Sequence, residues 1–255
     1  MAVNKDSNGY TFGFAITMVV IVGAVLAAVA IATKPFKDRN DEVKKKMDIV
    51  KALMPDEEAK NAITRKNAES EFSKYVDLST AVVINSKGEV VDGIYDVKGN
   101  VIEGSAFDVD IRKENRDKKR ADEHKNYPLF MAEVDGKKAY VIPVVGKGLW
   151  GPIWGNICLD EDMNTIKGAT FDHKGETPGL GAEIKQAFFI NGWVGEKVAD
   201  ADGNFEKFEV VKDKTGTKDK KVDGITGGTI TSKGVEEMVN RCLQPYMLYF
   251  KNQKN

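Results

Sequence analysis

Residues 10–33 read YTFGFAITMVVIVGAVLAAVAIAT, from Tyr10 to Thr33, with no charged side chain. As a helix rising about 1.5 Å per residue the stretch reaches about 36 Å, enough to cross a hydrocarbon core with some tilt. Tyr10 and Phe12 stand at one end, where aromatic rings favour the membrane interface. A cleaved signal peptide is the competing reading, since Ala28-Val29-Ala30 and Ala30-Ile31-Ala32 both have the small-x-small form. Against it, the apolar run exceeds the usual ~7–15 residues and the segment before it is weakly basic. The reading is therefore one transmembrane helix over 10–33. Lys5 alone precedes the run, whereas Lys34, Lys37, Arg39, Lys44, Lys45 and Lys46 follow it, and on charge alone the larger part faces the cytoplasm.

Outside the run the chain is long enough to bury one real core. Of the 255 residues, 42% are hydrophobic and 30% charged, and 38 basic residues nearly cancel 39 acidic ones. A net charge of −1 leaves no electrostatic footprint for nucleic acid. Two cysteines, Cys158 and Cys242, and two histidines, His124 and His173, are too few and too scattered for a zinc or iron–sulfur site. The two thiols read as small buried residues, with a disulfide left open.

Residues 34–72 read as a juxtamembrane helical segment, with Val43, Met47, Val50, Leu53 and Met54 at helix-like spacing and Pro55 as a stop or start signal. Residues 73–255 then form one domain. Hairpins are predicted at 81–91 around Ser86-Lys87-Gly88, at 97–102 around Lys98-Gly99, at 131–145 around Asp135-Gly136 and at 156–171 around 160–164. The charge run within 107–126 reads as a solvated helix or loop. A last helix is marked by Val235, Met238, Val239, Cys242, Leu243 and Tyr246 on one face, with Ser232 as N-cap and Pro245 as its end or a kink. The fold class is α+β: a single N-terminal transmembrane helix followed by one largely antiparallel domain.

Three glycine-containing loops carry what chemistry the sequence offers. Gly148-Leu149-Trp150-Gly151-Pro152-Ile153-Trp154-Gly155 sets two tryptophans among glycines, a flat apolar platform suited to an aromatic ligand or else a core-capping turn. In His173-Lys174-Gly175-Glu176-Thr177-Pro178-Gly179-Leu180-Gly181, Thr177 and the amides around Gly179 and Gly181 offer polar contacts. His173 and Glu176 there read as solvated loop residues rather than as an acid/base pair. Asp223-Gly224-Ile225-Thr226-Gly227-Gly228-Thr229-Ile230-Thr231-Ser232 runs into the last helix, where free amides attract phosphate and hydroxyls offer a point of esterification; a plain capping turn fits it equally. Walker, dinucleotide and nucleophile-elbow patterns are absent, so any chemistry comes from a cofactor.

The third loop resembles the flavinylation motif of covalent FMN-binding domains, D-x-x-[ST]-G-A-T-x-[ST]. In that family a flavin transferase splits FAD and esterifies FMN to the threonine that is Thr229 here. Gly228 stands where the family usually has Ala, which bears on labelling efficiency. Glu176 to Gly181 is similar to the family's other signature. Gly148-Leu149-Trp150 resembles the flavin-side loop of the C subunit (NqrC) of the Na⁺-translocating NADH:quinone oxidoreductase. The anchor, the chain length and the loop order fit NqrC as well. The resemblance implies a single-pass protein of the bacterial cytoplasmic membrane with its domain on the outer, periplasmic side, against the lysine count. It implies covalent FMN on Thr229, with Asp223, Thr226, Gly227, Gly228, Leu149, Trp150, Thr177, Gly179, Leu180 and Gly181 about it, and no catalytic acid, base or metal. The implied role is an electron relay from NADH toward quinone within a sodium-pumping enzyme, with the other membrane subunits and the transferase as partners. Alternatives are the G subunit of the related Rnf electron-transport complex and a membrane-anchored FMN-binding sensing module.

Overall fold

In the computed structural model, which describes residues 7–54, 56–212, 215–216 and 218–254, three of the predicted hairpins, at 81–91, 131–145 and 156–171, join into one antiparallel sheet, whereas the one around Lys98-Gly99 stands apart from it. The sheet's strands are β1 (Val82–Ile84), β2 (Val90–Val91), β5 (Tyr127–Val134), β6 (Lys137–Lys147), β7 (Pro152–Leu159) and β8 (Ile166–His173), in the order β2-β1-β5-β6-β7-β8. The separate short hairpin, β3 (Ile94–Tyr95) with β4 (Val101–Ile102), lies outside it. Between β5 and β6 the turn is two residues long, and both Asp135 (φ 52°) and Gly136 (φ 75°) are left-handed, as a hairpin matched to strand twist requires. Residues 139–146 of β6 are buried in succession, so the sheet is covered on both faces.

One face holds Tyr140, Ile142, Val144, Ile153 and Ile157 against the apolar stripe of α6 (Thr229–Lys254): Val235, Met238, Val239, Leu243 and Tyr246. Glycine sets how closely the helix lies. A Cβ on Gly234 would stand 2.4 Å from the Lys147 carbonyl oxygen, and one on Gly146 would stand 2.7 Å from Met238 Cβ. Further anchors are the Tyr246 hydroxyl, which donates to Pro128 O (3.0 Å), and Arg241, which donates to Val145 O (2.6 Å). Pro245 does not end α6, which continues to Lys254. Nor is Ser232 its N-cap, because the helix begins at Thr229 and Ser232 lies buried inside the first turn.

The opposite face holds Phe130, Val141 and Cys158 against Ile49, Val50, Leu53 and Phe72. The helices on this side are the end of α1 (Asn8–Leu53), α2 (Glu57–Ala62), α3 (Ala68–Tyr75) and, from the charge run, α4 (Ile111–Arg116) through Ile111; the run also forms a 3₁₀ turn at Asp122–His124. Residues 34–72, expected as one segment outside the domain, thus divide differently. The compact unit starts at Lys46, because the apolar side chains at 49–54 complete this second core, and Gly168 of β8 meets the Ala52 carbonyl directly. Pro55 lies outside the described residues. The other unit, residues 1–45, contains the apolar stretch. Within α1 it gives a helix long and apolar enough to cross a membrane, with Ile16, Val19, Leu26 and Ile31 exposed.

Cys158 and Cys242 are both free and belong to different cores, which answers the open disulfide question. Burial pushes the Cys158 thiol up to about 12 and raises that of Cys242. A parallel pair, β9 (Glu209–Val211) with β10 (Lys221–Asp223), and a one-turn helix, α5 (Ala187–Ile190), complete the α-face and deliver the chain to the start of α6.

Candidate functional site

The three glycine-containing loops, separate in sequence, meet at one place. The first joins β6 to β7 and closes tightly, with the Gly148 N–H donating to Gly151 O (2.8 Å). Leu149 and Trp150 at its tip are 48% and 69% exposed, so Trp150 is not a core-capping residue. Trp154 does not share the platform: it lies further along β7, with the Arg112 guanidinium 5.0 Å above its ring. The second loop turns at Pro178-Gly179. The Thr177 carbonyl accepts from Leu180 N and Ala182 N (both 3.1 Å) and leads into a 3₁₀ turn, Gly181–Lys185. In this loop the Gly179 N–H is already donated to Glu183 Oε1 (2.8 Å), so it is not a free amide.

The third loop descends from β10 and is folded by the helix it precedes. Ile225 N donates to Ser232 Oγ (3.0 Å), and that hydroxyl donates to Gly228 O (3.0 Å). Gly227 sits at φ +74°, a left-handed conformation that glycine adopts without cost, and a Cβ there would stand 2.6 Å from Leu180 Cδ2. A Cβ on Gly228 would stand 2.9 Å from Ile225 Cγ2, a tight fit for the alanine of the family motif.

One carboxylate ties the loops together. Glu176 is 5% exposed; its Oε1 accepts from Trp150 N (2.8 Å) and its Oε2 from Thr231 Oγ1 (2.6 Å). Neighbouring glycines make room for it, since a Cβ on Gly148 or on Gly181 would stand 2.6 Å from one of its oxygens. The expectation of a solvated loop residue is therefore wrong for Glu176. Its side chain joins the second loop to the tip of the first and to the first turn of α6. His173 is no acid/base partner for that carboxylate; its Nδ1 accepts the Glu176 backbone N–H (3.1 Å) instead. Among the described residues its Nε2 is buried without a hydrogen-bond partner.

The convergence encloses a cavity of about 250 Å³, walled by Leu149, Trp150, Leu180 and Ile230, floored by Glu176, Gly181 and Thr231, and edged by Thr177, Gly227, Gly228 and Thr229. Nine of the eleven positions expected around a ligand come together there or at its rim: Leu149, Trp150, Thr177, Leu180, Gly181, Gly227, Gly228 and Thr229 line it, and Gly179 forms the adjoining turn. Thr226 is exposed and opens instead onto a second cavity, of about 110 Å³, which Thr229 also lines. Asp223 lines neither; it is exposed at the end of β10, and its Oδ1 accepts from Gly216 N (2.7 Å). Ile230 and Glu176 were missed by sequence reasoning. Thr229 is half-buried, and its hydroxyl has no hydrogen-bond partner among the described residues. Glu176, the one titratable side chain lining the larger cavity, is already engaged with Thr231. The arrangement thus offers an apolar slot and an available hydroxyl at its edge.

An FMN-binding domain family model matches residues 148–244, a span holding all three loops. The chain is 30% identical over 260 aligned positions to the Na(+)-translocating NADH-quinone reductase C subunit of Haemophilus ducreyi, covering 97% of this chain and 96% of that one. To the protein of the same name from Vibrio parahaemolyticus it is 27% identical, covering 92% and 90%. Among solved structures, the crystal structure of the corresponding C subunit from Parabacteroides distasonis superposes with a TM-score of 0.69 at 38% identity, covering 87% of this chain and 98% of that one. The chain belongs to the family of the Na(+)-translocating NADH-quinone reductase C subunit.

Proposed function

We propose that this chain is the flavin-carrying relay subunit of a sodium-pumping NADH:quinone oxidoreductase, with FMN held as a phosphoester on Thr229. The observation that carries the reading is the convergence of three sequence-distant loops on one cavity that has Thr229 at its edge. The residues fit the group. Leu149, Trp150, Leu180 and Ile230 form apolar walls for a flat ring, and the glycines leave the backbone close to it. Among the described residues lining the larger cavity beside Thr229 the one titratable side chain, Glu176, is engaged with Thr231, and attachment is assigned to a separate transferase. In that step the Thr229 oxygen bonds to the FMN-side phosphorus of FAD, the pyrophosphate bond breaks, AMP leaves and the hydroxyl proton goes to the transferase or solvent. Asp223, exposed on the approach to the loop, is available for recognition by that enzyme.

FMN supplies the one- and two-electron chemistry; the chain's residues orient it and limit water around it. Electrons pass from NADH toward quinone through this site, with redox centres of neighbouring membrane subunits on either side. The match to the C subunit over nearly the whole chain, anchor included, favours this reading over the G subunit of the Rnf complex. The domain is placed on the outer side of the bacterial cytoplasmic membrane. A C-terminal phosphatase reporter active only outside agrees with that; one active only inside reverses it in favour of the basic run from Lys34 to Lys46. The relay itself is tested in membranes containing the assembled complex. NADH should bleach the absorbance of the flavin on this chain at the rate of turnover. A flavin that stays oxidised while the complex turns over overturns the relay.

A further inference from the structure

Thr229 borders two cavities, and their chemistry is opposite. The larger is apolar, and its one titratable side chain is the carboxylate of Glu176, which disfavours an anion. The smaller, about 110 Å³, is lined by Val210, Val211, residues 224–227 and Ser232, and holds two cationic side chains, Lys212 and Lys233. We propose that the smaller cavity seats the phosphate of the flavin ester and that Lys212 and Lys233 hold it, while the ring occupies the larger one. This rests on the attachment reading above and adds what neither motif contains, since both lysines lie outside the flavinylation signature.

The two cations arrive from different elements. Lys212 directly follows β9, whose end is fixed to the loop by Gly224 N donating to Val211 O (2.8 Å). Lys233 is four residues beyond Thr229 on α6, and so lies on the same helix face. Its ammonium pairs with Glu236 Oε2 (2.6 Å), which also accepts from Val210 N (2.5 Å), so the side chain is drawn toward the β9 wall. Charge then balances: Lys233 against Glu236, and Lys212 against the single negative charge of a phosphodiester. At the start of α6 the Ser232 amide is already donated to Gly228 O (2.9 Å), and the amides that precede it in the first turn add donors at the same point. Both lysines reach solvent, so replacing them leaves the cores intact.

The test uses the full chain labelled in cells by the transferase and reads the ³¹P resonance of the attached flavin, native and unfolded. In Lys212→Gln/Lys233→Gln the native resonance should move most of the way to the unfolded position, with the circular dichroism unchanged. Lys212→Arg/Lys233→Arg should keep it at the native position. Failure to label in the Gln pair, with normal labelling in the Arg pair, also supports a need for cations at the phosphate. A resonance in the Gln pair identical to that of the unaltered protein overturns the clamp and leaves attachment standing, as does equal loss of labelling in both pairs. Absence of label on Thr229 in the unaltered protein overturns the attachment reading and the clamp together.

Discussion

Glu176 has two carboxylate oxygens and spends each on a different loop, one on the Trp150 amide and one on the Thr231 hydroxyl. Truncating it leaves the buried Thr231 hydroxyl without a partner and frees the half-buried Trp150 N–H, a loss of about 1–3 kcal/mol. Glu176→Ala should therefore lower the denaturant midpoint by a corresponding amount, and an unchanged midpoint would mean that the carboxylate holds nothing. Trp150 is the contrasting case. Because it is largely exposed, Trp150→Ala should leave stability within about 0.5 kcal/mol. It should nevertheless shift the flavin potential, about 59 mV for each tenfold change in a one-electron equilibrium. Spectroelectrochemistry on the labelled variant decides between a wall of the site and a bystander. At this scale the sequence displayed Thr229, Trp150 and the glycines, because turn chemistry and motif spacing are local. The partners of Glu176 lie 26 and 55 residues away, and no local pattern announces a carboxylate satisfied at that distance.

Among elements, α6 decides where the site stands, because its first turn carries Thr229 and its apolar stripe packs on β6. Gly234 permits that approach. With a Cβ only 2.4 Å from the Lys147 carbonyl, Gly234→Ala must push the helix start away from the strand end. Such overpacking costs about 1–3 kcal/mol, and the melting temperature should fall even though alanine favours helix. A rise would show that the helix is free to slide. The stripe itself was legible from its period, as were the hairpins from their turn residues. The start of the helix was not. Ser232 has N-cap chemistry, but it directs its hydroxyl back to Ile225 and Gly228 and folds the loop instead. Pro245 similarly reads as a terminator, although burial of Tyr246, Met247 and Phe250 on the sheet carries the helix past it.

For the molecule as a whole, the boundary between anchor and domain falls near residue 46, where the charged segment following the membrane stretch begins to bury Ile49, Val50 and Leu53. Amphipathic spacing marked those residues as helical but not as core, since a short helix shows no sign of what its apolar face will meet. A chain starting at Lys46 should fold as a soluble domain. One starting at residue 73 also lacks Phe72 and should be aggregated or molten, with broad amide resonances. Equal folding of the two would assign residues 46–72 to the linker after all. The central claim, a flavin carried on Thr229, meets its most direct test in mass spectrometry of the membrane-expressed protein made with its transferase. The account predicts an FMN-sized increment on the peptide containing Thr229, lost in Thr229→Ala while the domain stays folded, and only reduced in Thr226→Ala. Covalent flavin surviving in Thr229→Ala, or mapped to another residue, would contradict it.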